Sequence, residues 1–299
     1  MKKDKLSLII PVLAIAGVLG IGGCATVKDT ISLQDVAVTG PIQQVPLHIN
    51  SEEAKAGEFH FSPYITKNNP TVIEGNVDRS SYAPGSKNLH WTISEMTVGA
   101  DFDAKLSRTL ALTFGINTSS SNGNNYAGGN LGLGLLFYGD AIAGRFDGGI
   151  RLHSMSYDAS TVVVRQTTSW FTSETSTTTM FFHDYDNATV WDYYFSLMFN
   201  TKVQSSPVQW FCQLAVSRES LTDFNPSREV INGLFYTYIK VDERASSSAT
   251  FFMVTPGVYV NLSNSTRLLG GVRIAEESEI TEGSASPIFM PVLQLDFKF

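Results

Sequence analysis

Two short groups of residues in this chain have the side-chain types that enzymatic chemistry needs. His60 and Ser62 are two positions apart, so on a β-strand both would point to the same face, where the imidazole could take the proton of the hydroxyl. His183, Asp184 and Asp186 form the second group. Whether either group does chemistry depends on the elements that carry it.

Each group resembles part of a known enzyme family. His60-x-Ser62 is similar to the His-x-Ser of a lipid A deacylase, and the second group resembles the outer rim of omptin proteases, ten-stranded barrels whose His and Asp groups activate water. No second acidic pair is recognisable for the omptin arrangement, and the strand of His60 is expected to start on the periplasmic side, away from outer-leaflet lipid A. We therefore predict that the protein is not an enzyme. An outer-rim hydrolase stays an alternative.

Metal and phosphate chemistry have no support in the sequence. The five histidines show no HExxH or other ligand spacing, and no phosphate-binding glycine loop is present. We expect no metal and no cofactor.

The composition indicates a β protein with two unlike faces. Of the 299 residues, 43% are hydrophobic and only 16% are charged, whereas soluble domains carry about 25% charged residues. The 19 Phe and 11 Tyr are too many aromatics for a disordered chain. The only long apolar run is at the N-terminus, which argues against a helical membrane protein. Strands that alternate apolar and polar residues would give a mean hydropathy near the observed +0.01.

The N-terminus has the pattern of a secretory signal. Three lysines precede an apolar run that ends in small residues and Cys24. This end resembles the lipobox of bacterial lipoproteins, which implies that residues 1–23 are removed and that Cys24 carries a lipid. An ordinary signal peptide, or an uncleaved anchor, with an incidental cysteine is the alternative. Ala25 stands where an Asp would suggest inner-membrane retention, so the resemblance favours the outer membrane.

Residues 24–56 have mixed polarity, and we expect them to form a tether. Removal of residues 1–23 takes away three Lys and one Asp and leaves 18 basic and 27 acidic residues. This negative balance makes nucleic acid an unsuitable partner.

From residue 57 onward the sequence alternates with period two, the signature of strands. In 190–201, Trp191, Phe195 and Phe199 share one face, while Asp192 and Asn200 share the other. Ten such segments are recognisable, although eight or twelve strands would also fit the pattern. They cover 57–67, 90–102, 106–117, 129–138, 143–157, 189–203, 207–217, 249–262, 266–276 and 287–299.

The last eleven residues resemble the C-terminal strand of bacterial outer-membrane barrels. In that family, alternate apolar residues ending in Phe form the signal that the barrel-assembly machinery reads. Here the matching residues are Phe289, Leu293, Leu295, Phe297 and Phe299.

Short and long connections alternate between the predicted strands, as in outer-membrane barrels. Short ones are expected near 103–105, 139–142, 204–206 and 263–265, and long ones near 68–89, 118–128, 158–188, 218–248 and 277–286. Val162–Val164 and Met180–Phe182, which flank a segment dense in Ser and Thr, suggest a hairpin that extends above the membrane.

Most strand charges are predicted to face the lumen, because charges in the lipid band are costly. They would line a polar path for small solutes or form a salt-bridged plug, and we favour the plug. The aromatic residues Trp91, Tyr157, Trp170, Trp191, Trp210 and Phe299 are expected in two interfacial belts. The predicted lumen charges are Glu95, Arg145, Asp147, Arg151, Asp192, Arg267 and Arg273.

We predict an all-β protein, a transmembrane antiparallel up-and-down barrel of about ten strands over residues 57–299. It would be anchored by a lipid in the outer membrane of a Gram-negative-type bacterium and act as a non-enzymatic scaffold, narrow pore or surface-binding protein. Outer-membrane lipid and the barrel-assembly and lipoprotein-sorting machineries are its expected partners, and no external partner follows from the sequence. The alternative is a soluble β-barrel lipoprotein that binds a hydrophobic ligand. Cys212 has no role beyond a small apolar side chain.

Overall fold

The computed structural model describes residues 25–42, 44–50, 53–68, 72–76, 78–79, 88–121, 123–169, 173–202, 206–220, 227–230, 239–242, 245–246, 248–277 and 287–299. These residues contain seventeen strands and no helix. The strands are β1 (Ala25–Gly40), β2 (Phe59–Lys67), β3 (Val72–Asn76), β4 (Asp78–Arg79), β5 (Asn88–Ile93), β6 (Met96–Lys105), β7 (Leu110–Ser121), β8 (Asn124–Tyr138), β9 (Ile142–Ser169), β10 (Thr175–Thr201), β11 (Val208–Ser220), β12 (Ser227–Val230), β13 (Ile239–Asp242), β14 (Ala245–Ser246), β15 (Ser248–Asn261), β16 (Thr266–Glu277) and β17 (Ile288–Lys298).

Ten of these strands close into an antiparallel barrel. The order is β2, β6, β7, β8, β9, β10, β11, β15, β16 and β17, and β17 pairs with β2 to close the ring. At the seam, the backbones of Phe59 and Phe299 exchange two hydrogen bonds of 3.3 and 2.8 Å. The predicted number of ten barrel strands and the fold class are thus confirmed.

The large apolar residues of the barrel strands point outward. On β8, Leu131, Leu133 and Leu135 are more than half exposed, while Gly132 and Gly134 between them are buried. On β10, Trp191 is 62% exposed, whereas its neighbour Asp192 is buried. The barrel is therefore apolar outside and polar inside, the reverse of a soluble barrel.

None of the described residues belongs to a helix with the length and apolar character that crossing a membrane requires.

The connections differ from the prediction in three places. Strands β7 and β8 extend to Ser121 and Asn124, so only two residues stand where a loop over 118–128 was expected. The connection is the dipeptide Asn122–Gly123, and Gly123 has a φ of +83°, which a two-residue hairpin turn requires.

The second difference is the region 158–188, which is mostly strand. Strands β9 and β10 stay paired from Ile142–Thr201 to Thr168–Thr175, so the expected extended hairpin is present and far longer than the barrel wall.

The third difference is at residues 88–93: they form β5, separate from barrel strand β6, and pair with β1 and β3. Trp91 is therefore fully buried, and Tyr157 is also buried, so neither lies in an exposed aromatic belt. Trp170 lies outside the described residues.

Residues 25–50 are not a tether. Strand β1 pairs antiparallel with the upper part of β9, from Ala25 opposite Ser169 to Thr39 opposite Ser156. It thereby makes a three-stranded ribbon of β1, β9 and β10. After Gly40 the chain enters the barrel, and all its described residues up to Asn50 are buried. Cys24 lies outside the described residues.

Candidate functional site

The lumen is occupied by the chain's own residues 41–50, which we call the lumen segment. Five carbonyl oxygens of this segment, those of residues 45, 46, 47, 49 and 50, accept hydrogen bonds from side chains on the barrel wall. Arg273 donates to the carbonyl of Val45 at 2.7 Å, and Arg267 donates to that of Ile49 at 3.1 Å. The amides of Gln213 and Gln294 donate at 2.7 Å each to the carbonyls of residues 46 and 47. The wall is therefore built to hold an extended chain.

The inner end of the lumen segment is fixed at Asn50. Its side-chain oxygen accepts a 3.0 Å hydrogen bond from Lys105 Nζ, and its backbone N–H and C=O bond to the side chain of Asn200 at 3.3 and 3.2 Å. A little further along, the backbone N–H of Ala54 donates to the Tyr138 hydroxyl at 3.0 Å. Lys105, Asn200 and Tyr138 stand at or beside the short-turn ends of their strands, so the segment runs from one mouth to the other.

Apolar side chains of the segment fill the space that the polar contacts leave. Leu47 and Ile49 pack in a buried cluster with Met198, Phe211 and Tyr259. Nearer the other mouth, Ile42 and Val45 belong to a second cluster that includes Trp91 and Phe251. The Trp91 indole contacts the Phe251 ring edge-on at 5.6 Å, and its N–H donates to the carbonyl of Gly40 at 3.3 Å. These contacts join β1, β5 and β15 to the start of the lumen segment at that mouth.

Charged residues opposite the segment form a buried cluster. Arg145, fully buried, pairs with Asp103 at 2.8 Å and with Asp147 at 2.6 Å. Lys105 also pairs with Asp103, at 2.5 Å. In a site without bulk water the opposite charges of these pairs compensate one another, which is how a buried charge is tolerated. The cluster fits the plug interpretation better than an open polar path.

The structure places six of the seven predicted lumen charges inside the barrel. Arg145, Asp147, Arg151, Asp192, Arg267 and Arg273 are each at most 7% exposed. The prediction for Glu95 is wrong: this residue is exposed and lies in the bend just before β6, because the chain turns there from β5 into the barrel wall.

Other predicted lumen charges have specific partners. Arg151 hydrogen-bonds Ser217 and lies 3.7 Å from a Glu219 carboxylate oxygen, and its guanidinium covers the Tyr194 ring at 5.6 Å. Asp192 lies 2.9 Å from His153 Nδ1. These contacts link the walls of the barrel rather than leave the charges free for a solute.

Glycine on the inner wall makes room for this cluster. A Cβ added at Gly134 would lie 2.5 Å from Arg145 Nη2 and 2.6 Å from Asp147 Oδ1, closer than non-bonded atoms allow. At Gly132 an added Cβ would likewise lie 2.5 Å from the Tyr194 hydroxyl oxygen.

A small cavity lies between the lumen segment and the wall, lined by residues that include Gln44, Tyr64, Asp101 and Arg273. Its volume is about 10 Å³, room for a single water molecule. It is too small to hold an organic ligand.

The His60 and Ser62 pair is not arranged for nucleophilic attack. The Ser62 hydroxyl donates to Asp296 at 3.1 Å rather than to the imidazole. Both imidazole nitrogens face carboxylates, Nδ1 at 3.0 Å from Asp296 and Nε2 at 2.9 Å from Glu58. A general base must hydrogen-bond its nucleophile, so this cluster serves to join β2 to β17.

The second group is spread over the ribbon. His183 is exposed and lies 3.7 Å from an Asp158 carboxylate oxygen. His183 and Asp184 are consecutive residues of β10 and pair with Ser160 and Ala159 of β9. Among the residues that the structure describes, no group of three or more His, Cys, Asp or Glu is placed to hold a metal ion.

Sequence reasoning missed the lumen segment and the amides that hold it. One signal was present: Val45, Leu47 and Ile49 alternate with polar residues and proline, the same period as the strands. Pro41 and Pro46 lack an N–H, so they suit a chain that is held through its carbonyl groups rather than through a strand partner.

Comparisons with known proteins give structural likeness only. No protein-family model matches the chain, and no curated protein matches it. The outer membrane protease OmpT from Escherichia coli is similar in structure, at 6% identity and a TM-score of 0.42, over 84% of this chain and 100% of that chain. The N-terminal β-barrel domain of Pseudomonas aeruginosa OprF matches at 7% identity and a TM-score of 0.31, over 82% and 100% of the two chains. The translocator domain of the autotransporter NalP from Neisseria meningitidis matches at 12% identity and a TM-score of 0.34, over 83% and 91%. We take no activity from these likenesses.

Proposed function

We propose that this protein is an outer-membrane β-barrel that its own N-terminal segment closes, and that it acts as a non-enzymatic scaffold presenting the three-stranded ribbon outside the cell. The observation that carries the proposal is the buried lumen segment, whose carbonyl groups are held by Arg273, Gln213, Gln294 and Arg267. A barrel of ten strands encloses little space once side chains fill it, and here a second chain segment fills it further.

The membrane location is supported by the outer surface of the barrel. A monomeric soluble protein rarely exposes a continuous apolar surface larger than a few hundred Å². In this protein Leu131, Leu133, Leu135, Trp191 and Leu293 are each at least half exposed, and they belong to strands all around the ring. An apolar band around a closed barrel is what lipid tails solvate. Anchoring through a lipid on Cys24 remains part of the proposal.

The ribbon has the side chains of a binding surface. The segment 167–179, at the tip of the ribbon, contains ten Ser or Thr in thirteen residues, and Phe181 and Tyr185 are strongly exposed on β10 beside it. An extended ribbon rich in hydroxyl groups presents hydrogen-bonding side chains and exposed rings that a surface partner can contact. The lumen is filled by residues of the chain itself and leaves no comparable binding surface.

Conductance across a planar lipid bilayer tests the closed barrel. We expect the wild-type protein to carry no current above background. A variant with Val45, Leu47 and Ile49 each changed to Asp should conduct, because three carboxylates cannot remain buried in the apolar clusters and the segment would leave the lumen.

The matched control changes Lys55 and Ala56 to Asp, two exposed positions just beyond the segment, and should stay silent. Steady wild-type conductance equal to that of the triple variant would show an open pore and reject the proposal. Heat-modifiable migration on gels confirms that each variant is folded before it is measured.

A further inference from the structure

The two mouths of the barrel are distinguishable by their connections. At one mouth the strands are joined by the short segments 106–109, 139–141, 202–207 and 262–265, and Phe299 ends the chain there. The ribbon and the strands β3 and β5, which pair next to it, lie at the other mouth. Short turns face the periplasm in outer-membrane barrels, so, given the proposed function, the ribbon is outside the cell.

Strand β1 fixes the direction in which the N-terminal chain crosses the barrel. Ala25 is opposite Ser169, and the Ser169 N–H bonds the Glu174 carbonyl across the hairpin tip at 3.0 Å, so residue 25 lies at the tip of the ribbon. Gly40 lies at the ribbon base, where its carbonyl accepts from the Ser94 N–H at 3.1 Å. Sixteen residues of strand separate these two points, about 50 Å of chain.

From Gly40 the lumen segment descends to the periplasmic mouth. Asn50 is bonded to Lys105, the last residue of β6, and Gly57 donates to the Lys105 carbonyl at 2.9 Å just before β2 begins. The chain thus crosses the bilayer level once before its first barrel strand. This crossing runs from outside to inside.

We propose that the N-terminal end of the mature chain is displayed on the cell surface, with any group attached at Cys24 carried to the outer side of the membrane. The two ends of the barrel wall itself, at Phe59 and Phe299, lie at the opposite, short-turn mouth. The proposal rests on the proposed function for the orientation of the barrel. The surface position of the N-terminal end is supported by two further observations: β1 pairs along the ribbon, and the lumen is filled by the segment that follows it.

The same geometry constrains assembly. The lumen around the segment is filled by side chains, and the ribbon at its outer end is three strands wide. A paired strand cannot be pulled through a filled barrel, so the barrel wall must close around the segment, with β17 meeting β2 while residues 41–50 are already inside.

Antibody binding to intact cells tests the surface location. One short polar epitope is inserted, in separate variants, after Ala25, after Ser173 at the ribbon tip, and after Ser263 in a short turn. We expect antibody on intact cells to bind the epitopes after Ala25 and Ser173. The epitope after Ser263 should bind only when the outer membrane is permeabilised.

The outcomes separate the two proposals. Binding after Ser173 but not after Ala25 on intact cells overturns the surface display of the N-terminal end and leaves the barrel proposal standing. Absence of binding at Ser173 on intact cells, with binding after permeabilisation, overturns the orientation of the barrel itself.

A second experiment avoids inserting residues into a strand. In a Cys212→Ala background, Lys28→Cys, Glu174→Cys and Asn264→Cys are treated on intact cells with a maleimide that does not cross membranes, and the background chain retaining Cys24 sets the baseline. Labelling of Lys28→Cys at a level similar to Glu174→Cys, and at least tenfold above Asn264→Cys, is expected. Labelling of Lys28→Cys no higher than Asn264→Cys contradicts the proposal.

Discussion

Individual charges inside this barrel are held by several partners each. Arg145 bridges Asp103 and Asp147 without contact with solvent, and Lys105 shares Asp103. Removing one member of such a cluster leaves a buried charge without its partner, and this loss is strongly destabilising. Replacing the whole cluster by apolar residues of similar volume would change the free energy of unfolding much less. The lumen charges are therefore sensitive to single substitutions.

Arg145→Met should lower the free energy of unfolding by about 3–5 kcal/mol, because Asp147 loses its 2.6 Å partner in a buried site. The matched control is Arg108→Met, which breaks the exposed ion pair with Glu53 and should cost about 0–1 kcal/mol. Urea titration of the protein in lipid vesicles measures both. Equal costs for the two substitutions would mean that the cluster is hydrated and the lumen is open.

Glu58, at the short-turn mouth of the barrel just before β2, gives the stability of the protein a pH dependence. Partial burial raises the pKa of this carboxyl, but hydrogen bonds from His60 and Lys298 outweigh that effect and lower the pKa from its ordinary 4.5 to about 2. A depressed folded-state pKa stabilises the fold above the unfolded value, and the contribution disappears as pH falls from about 4.5 to about 2.

Glu58→Gln should therefore remove part of the acid sensitivity between pH 4.5 and 2 and lower stability at neutral pH. Unfolding midpoints in urea, measured at several pH values in that range, test this. Glu53→Gln, whose carboxyl is exposed and paired with exposed Arg108, is the control and should keep the wild-type acid profile. Identical acid profiles for wild type and Glu58→Gln would exclude the rim contacts as their cause.

At the scale of elements, the barrel strands were predictable and the N-terminal elements were not. Alternation is a local property of each strand, so segments such as 190–201 and 287–299 indicate their faces from sequence alone. The lumen segment depends on contacts across the chain: Gln294 and the Leu47 carbonyl are 247 positions apart, and Arg273 and Val45 are 228 apart. No local pattern encodes such pairs.

Two errors at this scale have identifiable causes. The β7–β8 connection was expected to be long, although Asn122–Gly123 is the sequence signal of a two-residue hairpin. Residues 90–93 were assigned to the barrel as part of the predicted strand 90–102, but the bend at Ser94 and Glu95 separates them from β6, and β5 instead pairs parallel with β1. Periodicity identifies a strand and does not say which sheet it joins.

Trp91 joins three elements at the outer mouth, and its replacement should loosen them together. Trp91→Ala should cost about 3–5 kcal/mol of stability, since the indole is fully buried against Phe251. Trp91→Phe keeps an aromatic ring but loses the hydrogen bond to Gly40, so a smaller loss is expected. The measurement is protease sensitivity of β1 in vesicle-inserted protein, with cleavage fastest for Trp91→Ala. Equal resistance of wild type and Trp91→Ala would mean that β5 does not hold β1 at the mouth.

For the whole molecule, the arrangement of faces accounts for the composition. Low charge and near-zero mean hydropathy follow when apolar residues cover the outside and polar residues line a filled interior. Residues 25–50, which precede the barrel, add a further layer, because they supply the contents of the lumen and one strand of the ribbon. The chain is thus a barrel, its plug and its surface element in one continuous polypeptide.

The outer surface offers a decisive test of whether lipid surrounds the barrel. Leu133 is 54% exposed on β8, five residues from the strand's inner end at Tyr138, which corresponds to a height of about 12 Å for a strand tilted by roughly 40°. Leu106 is similarly exposed, at 51%, but lies in the short turn after β6. Leu133→Arg should cost about 2–4 kcal/mol in vesicles and Leu106→Arg about 0–1 kcal/mol, because the cost of a buried guanidinium depends on its depth in the bilayer. Folded fractions in urea-titrated vesicles give both values. If water surrounds the barrel, both arginines are solvated and neither substitution has a cost, so a difference between two equally exposed leucines can only come from the depth of the lipid that covers them.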